Sequence, residues 1–488
     1  MKQKLNWLII MLTSMVLTTQ AQIPQDFIHA NGSALVHGSN NDTIYLRGIN
    51  FNNFWLDDGG PNWIIDDPND MGTPQPYAFG DLNWFADAKQ IRFNVVRVTL
   101  NYRLFEDNAN PYVYLSSGWN FIDQYIQWAD SLGMYLILDM HVPQGGLQNS
   151  SNAPLLWTNN SNQDRLVALW HEIATRYSND TTIAGFDLLN EPTPVDSIAA
   201  WSNLAQRIAD TIRTVDNNHL LIVEYAYGII DTTNTWYPFW NLSQQMFFIN
   251  DTNVMYDFHY YQEMSYALQC YNNPNCTPTI QYNDNSVIFP TESGNSLPFT
   301  QAWLADDLTD WLTVYDSANV PVNIGEWAPW RANYEYNNNQ MQGYEYISDL
   351  LDLFCQQKLN WQYYCYSEFR HTSQDQNGND GLNSLLSNYY QSNLCNSITT
   401  DIENQHLEQE FIIYPNPFKD MTTIKAIDFS FGNADLKLYD LIGRQIMHDY
   451  HINGNAIVIE RGELTKGIYL YKLTDNKGLL ITGKIIAE

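Results

Sequence analysis

At 488 residues the chain is long enough for one large core and a smaller domain beside it. Its 23 Lys and Arg stand against 54 Asp and Glu, a net charge of −31, which argues against nucleic acid or an anionic membrane as partner. The acidity fits a soluble exported protein and says little more.

Residues 1–21 read as a signal peptide. Lys2 and Lys4 form a basic start, Leu5 to Leu17 an apolar stretch, and Thr19-Gln-Ala21 a small-residue cleavage site. The apolar stretch is short for a membrane span, and no other segment resembles one. Strand and helix patterns then alternate. Thr43–Asn50 reads as a strand, Leu82–Ile91 as a helix, Phe93–Thr99 as a strand and Trp119–Ser131 as a helix. Met134–Met140 is a strand ending at His141, and Asp164 is a candidate N-cap for a helix with Leu166, Leu169, Trp170, Ile173 and Tyr177 on one face.

The strand Phe186-Asp-Leu-Leu189 stops at Asn190, Glu191 and Pro192, because proline cannot donate to a ladder. Ile198–Val215 (helix), Leu220–Tyr225 (strand), Val254–Phe258 (strand, ending at His259) and Ala302–Tyr315 (helix) follow. Val322-Asn-Ile-Gly-Glu326 is another apolar strand running into a glutamate, and Tyr344–Gln356 (helix) and Trp361–Tyr366 (strand) complete the set. Eight strands with intervening helices over 22–395 predict an α/β fold, a (β/α)8 TIM barrel. No glycine-rich phosphate turn follows an early strand, which argues against an open doubly wound sheet.

Residues 396–410 are polar and read as a linker. From Phe411 the chain holds no Trp and no Cys, and nine basic residues match nine acidic ones, so the whole acidic excess lies upstream. Period-two alternation in Asp435-Leu-Lys-Leu-Tyr439 and Ile468–Leu473, with turns at Gly443, Gly454 and Gly467, predicts a small all-β sandwich over 411–488.

In a barrel the chemistry sits at the carboxyl ends of the strands. Arg97, His141, Asn190, Glu191, His259, Tyr261 and Glu326 all fall at or just past such ends. Two glutamates there suit glycoside hydrolysis, in which one carboxyl protonates the leaving oxygen and the other attacks or activates water. The 16 Trp and 32 Tyr supply flat faces for a core and for stacking on sugar rings. Phe54, Trp55, Trp63, Trp157, Trp236, Trp240, Trp327 and Trp330 follow strand ends, and about half of them are expected to face the cleft.

The segments Leu46-Arg-Gly-Ile-Asn50, Val96-Arg97, Leu138-Asp-Met-His141, Leu189-Asn-Glu-Pro192, His259-Tyr-Tyr261 and Ile324-Gly-Glu-Trp327, in that order on successive strands, resemble the family 5 glycoside hydrolases of the cellulase type. The resemblance implies a retaining enzyme with Glu191 as acid/base and Glu326 as nucleophile. It also implies Arg97 and Tyr261 against Glu326, Asn190 on the sugar 2-hydroxyl, and His141, His259 and Trp327 in support. The family commonly places a Trp platform on the last strand. Here Trp361-Gln-Tyr-Tyr364 puts Tyr364 there, which leaves the substrate preference open. The expected activity is endo-β-1,4-glucanase, with β-mannanase or β-1,3-glucanase, or a non-catalytic glycan-binding protein, as alternatives. Of the paired acids, Glu191 is expected to be the one whose pKa is raised.

The tail segments Tyr414-Pro-Asn-Pro-Phe418, Leu438–Arg444, Gly467–Lys472 and Gly483–Ile486 resemble the C-terminal sorting domain of the type IX secretion system of Bacteroidetes. The expected partners are therefore a polysaccharide substrate and that secretion machinery, and the expected location is outside the cell or on its surface. No cofactor and no metal are expected. Cys270, Cys276, Cys355, Cys365 and Cys395 lack Cys-x-x-Cys spacing and read as structural, with Cys270 and Cys276 able to staple a loop and an odd thiol left over. Glu368 reads as a loop acid and Asp375–Gly381 as a plain turn.

Overall fold

The computed structural model describes residues 27–38, 41–51, 82–148, 155–231, 235–238, 246–271, 273, 276–291, 294–330, 332–337, 339–366, 411–414, 418–426, 435–439, 445–446, 450–462, 464–474 and 480–487. The signal peptide, Phe54, Trp55, Trp63, Trp240, Glu368, the 375–381 turn, Cys395 and the linker lie outside the described residues. The chain divides into two compact units, Met1–Leu394 and Cys395–Glu488.

In the first unit eight parallel strands close into a barrel in sequence order: β1 Arg47–Phe51, β2 Val95–Asn101, β3 Tyr135–Val142, β4 Ile183–Asp187, β5 Leu220–Glu224, β6 Val254–His259, β7 Val322–Trp327 and β8 Asn360–Tyr363. All but β1 and β2 are buried along their whole length, as strands covered by helices outside and packed inside must be. Helices α1 Leu82–Gln90, α2 Ser116–Leu132, α3 Asn160–Tyr177, α4 Ile198–Arg213, α5 Gln301–Ala318 and α6 Gly343–Gln356 alternate with them. Each presents an apolar stripe inward. On α3 this stripe includes Leu166, Leu169, Trp170, Ile173 and Tyr177.

Two boundaries differ from the sequence reading. The cap of α3 is Asn159, whose side chain accepts from the amide of Ser161; Asp164 lies inside the helix and pairs with Arg207 of α4. An acid one turn in still favours a helix start, which is why it mimics a cap. The expected Thr43–Asn50 strand is two strands. Asp42–Ile44 belongs to a three-stranded antiparallel sheet with His29–Asn31 and Ala34–His37, and only β1 enters the barrel. That sheet packs at the amino end of the barrel, where Ile28 and Leu35 join Leu46, Val95, Ile137, Leu220, Ile222 and Met255 in one apolar cluster. No described helix is long and apolar enough to cross a membrane.

The second unit is a sandwich of two four-stranded antiparallel sheets. One holds Phe411–Tyr414, Met421–Ala426, Ala456–Glu460 and Tyr450–Asn453; the other holds Gln445–Ile446, Asp435–Tyr439, Gly467–Thr474 and Leu480–Ala487. Period two sets the core: Ile457 and Ile459 from one sheet meet Leu436, Leu438, Tyr469, Tyr471 and Leu473 from the other. Gly454, at φ +62°, turns the hairpin between Asn453 and Ala456, whereas Gly467 begins a strand instead of a turn.

Candidate active site

Side chains from five strands converge on one buried guanidinium carried by a sixth. From β2, Arg97 donates through Nε to Asp187 Oδ2 (2.9 Å) at the end of β4, and through Nη1 to Asn50 Oδ1 of β1 (2.9 Å) and Glu326 Oε1 of β7 (3.1 Å). Its Nη2 donates to Glu224 Oε1 of β5 (2.8 Å) and to Asn190 Oδ1 just past β4 (3.0 Å), and lies 3.2 Å from Asp139 Oδ2 of β3. From β6, His259 places Nδ1 2.9 Å from Glu191 Oε1 and 3.5 Å from Glu326 Oε2. Tyr261 donates to Glu326 Oε2 at 3.0 Å. A Glu191 oxygen and a Glu326 oxygen lie within 4.8 Å of each other and of a His259 ring nitrogen.

The backbone makes this convergence possible at two places. A register shift between β6 and β7 pairs Phe258 with Ile324 and then His259 with Glu326, skipping Gly325. A side chain at Gly325 would meet the Asp257 carboxylate at 2.6 Å, so only glycine lets Asp257 Oδ1 accept the Gly325 amide at 3.1 Å. Past β4, Glu191 adopts φ +43°, a left-handed conformation that costs a side-chain-bearing residue about 1–2 kcal/mol. Its amide is held by Glu224 Oε2 at 2.6 Å.

The electrostatics follow from burial among these groups. Burial works against the charge on Arg97, but Asp139, Asp187, Glu224 and Glu326 outweigh it and hold the guanidinium charged. His259 is the same case: burial opposes its proton, Glu326, Glu224 and Glu191 retain it, and the imidazolium persists at neutral pH. His141 goes the other way, pulled down to about 3 by burial. Its neutral ring donates from Nδ1 to Asp139 Oδ2 at 2.7 Å, which sets the tautomer. Burial pushes Asp139, Asp187 and Asp257 up to about 7 each against the pull of Arg97 and His259, and takes Glu224 well above the carboxylate range. The Glu326 carboxyl also rises, first through burial and then through Glu191, while His259 and Arg97 oppose the shift. Arg97 therefore does not by itself set the charge on Glu326; His259 counts for more.

Glu191, Glu326, Arg97, Asn190, His259 and Tyr261 thus meet in one cluster. His141 joins it through Asp139, which also touches Arg97. Trp327 is fully buried against Phe354, Trp361 and Tyr363, so it supports the end of β7 and offers no stacking face. Tyr364 is half-buried and close enough to Tyr261 to help raise its phenol, a shift that burial dominates. Trp157 is buried, with its indole donating to Gln148 Oε1 at 2.6 Å. Trp330 packs edge-on against Tyr271, on the loop stapled by the Cys270–Cys276 disulfide. Cys355 is also disulfide-bonded.

Asn50, Asp187, Glu224 and Asp257 had no place in the sequence reading of the site, and neither did Tyr227, whose phenol is raised by burial and by Glu191 and Glu326. The available signal was an acid inside an apolar strand run, as in Leu220–Glu224 and Val254–His259. Three-residue groups of suitable metal-ligand spacing occur here, among them Glu191, His259 and Glu326. A guanidinium and an imidazolium already supply positive charge to those oxygens.

Residues 71–370 match the family model for cellulases (glycosyl hydrolase family 5), and residues 412–488 match that of a secretion system C-terminal sorting domain. Among curated proteins, a β-xylosidase of Phanerodontia chrysosporium is 35% identical over 155 residues, which are 29% of this chain and 32% of that one. Endoglucanase C of Acetivibrio thermocellus is 29% identical over 177 residues, or 36% of this chain and 49% of that protein. The matched stretch therefore spans a third to a half of these relatives. Among solved structures, endoglucanase Cel5A of Thermotoga maritima superposes with a TM-score of 0.52 at 18% identity, covering 70% of this chain and 96% of that one. That likeness is one of fold.

Proposed function

From the premise that the chain belongs to glycosyl hydrolase family 5, we propose that it is a retaining glycosidase acting as an endo-β-1,4-glucanase, with Glu326 as nucleophile and Glu191 as acid/base. The sorting domain at its end makes it a secreted or surface-attached protein. The observation that carries the reading is the approach of the two carboxyls to within 4.8 Å, with Arg97 and Tyr261 both donating to Glu326. Retaining enzymes need their carboxyls about 5–5.5 Å apart, whereas an inverting pair stands about 6.5–9.5 Å apart to admit a water.

In the first step Glu326 attacks the anomeric carbon as Glu191 passes its proton to the departing glycosidic oxygen. In the second, Glu191 takes a proton from water, which releases the sugar from Glu326. Two donors on Glu326 keep its charge localised until attack. Asn190, whose Oδ1 is fixed by Arg97, offers its amide to the sugar 2-hydroxyl, and His141 lines the cleft. Tyr364, at the place of the usual Trp platform, is the residue on which sugar preference turns. The secretion machinery reading the tail is the second partner in this proposal.

The test is hydrolysis of carboxymethyl-cellulose, mixed-linkage glucan, laminarin, mannan and xylan by the exported protein, with the first product followed by proton NMR. The expected result is cleavage of β-1,4-glucan with a β-configured product. An α product rejects retention, and a preference for mannan or laminarin moves the substrate to β-mannan or β-1,3-glucan.

A further inference from the structure

Beneath the two glutamates lies a third carboxyl group that touches the supports of both. Glu224 closes β5 and is almost wholly buried. One oxygen, Oε2, accepts the backbone amide of Glu191 at 2.6 Å, where the chain takes its left-handed turn at φ +43°. The other, Oε1, accepts from Arg97 Nη2 at 2.8 Å and lies 3.5 Å from His259 Nε2. Arg97 in turn donates to Glu326, and His259 contacts Glu191. Asp139 and Asp187 also touch Arg97, but no hydrogen bond joins either to the Glu191 amide among the described residues.

We propose that Glu224 is a positioning residue that sets the distance between the acid/base and the nucleophile, one oxygen pinning the Glu191 turn and the other holding the guanidinium against Glu326. This rests on the roles given to Glu191 and Glu326 above. A carboxyl group suits the task because each of its oxygens takes an N–H hold, Oε2 the Glu191 amide and Oε1 the Arg97 guanidinium, with the His259 ring beside Oε1. A glutamine of the same shape has one acceptor oxygen and one NH2, so in either rotamer an NH2 faces a donor and one of the two holds is lost. A carboxyl displaced by about 1 Å from its working position loses on the order of 100-fold in rate.

The experiment is Glu224→Gln in the full chain, assayed on aryl β-glycosides of whichever sugar the wild type hydrolyses. The expected result is a kcat lower by about 100-fold, with KM within about threefold. The loss should be steeper for a phenyl than for a dinitrophenyl leaving group, since acid assistance matters most when the leaving group is poor. Glu224→Asp, which keeps both oxygens but shortens the reach, should recover part of the rate. A kcat per folded molecule equal to wild type, a loss confined to KM, or equal losses on both leaving groups each overturn the proposal. If Glu224→Gln does not fold, Glu224→Asp decides by the same split of kcat from KM. A wild-type chain inert on every glycoside ends the functional reading and this one with it, whereas an active wild type with an unaffected variant ends this one alone.

Discussion

The barrel interior holds two layers that differ by one step of the strand. Val95, Ile137, Ile222 and Met255 fill the amino-end half with apolar packing. Two residues further along the same strands, on the same face, come Arg97, Asp139, Glu224 and Asp257. The lower layer is stabilised by burial itself. The upper layer is costly to bury and is held by Arg97, His259 and a set of amides, so its stability depends on pairing. The contrast separates what keeps the barrel folded from what makes it react. Mutations in the two layers should therefore fail in different ways.

The largest expected effect is in the upper layer. Glu326→Gln should lower kcat by about 10⁵-fold, since the bond-forming group is gone, while the thermal midpoint holds or rises because a buried carboxyl becomes neutral. Turnover within tenfold of wild type would remove Glu326 as nucleophile. Glu191→Ala comes next. It should slow poor leaving groups by about 10³-fold, with activated aryl glycosides less affected and azide restoring part of their rate; no azide response would count against the acid/base role.

The lower layer should show the opposite signature. Ile137→Ala should cost about 2–5 kcal/mol in denaturant unfolding, through lost burial and a cavity, while kcat per folded molecule stays near wild type. A large fall in kcat there would mean the two layers are not separable.

The smallest effect is the pH dependence of stability. Asp139, Asp187 and Asp257 have folded pKa values of about 7, above the unfolded carboxylate value, so the folded state binds more protons between about pH 4 and 7. Their contribution is fully present below about pH 4 and is lost as pH rises through 7. The thermal midpoint should accordingly rise as pH falls from 8 toward 5. Asp187→Asn should flatten that slope and Ile137→Val should leave it intact. A midpoint that falls steadily from pH 8 to 5 would contradict the burial of these acids in the folded state.

Most elements were legible from their residues. Leu82–Gln90 and Gly343–Gln356 appear where apolar spacing puts a helix, and β7 ends at Trp327, one residue past the Glu326 that interrupts its apolar run. The rim groups Arg97, Asn190, Glu191, His259, Tyr261 and Glu326 were legible because strand ends deliver side chains to one face of any barrel. Glu224 and Asp187 were not. An acid inside a strand looks the same whether it faces solvent or a buried guanidinium 127 or 90 positions away. The surroundings of Trp327 were hidden for a related reason: its place after Glu326 is written in the chain, but the Phe354, Trp361 and Tyr363 that bury it come from β8 and α6.

By itself the amino-acid sequence determined the period of each element, the strand ends, and which polar groups stand at them, because these depend on neighbours a few residues away. Closure of the barrel decided the rest: that side chains from five strands share the arginine of a sixth, that His259 keeps its proton while His141 loses it, and that Glu191 and Glu326 come within 4.8 Å. Those properties arise from burial and charge summed over segments far apart in the chain, and only the folded barrel brings them together.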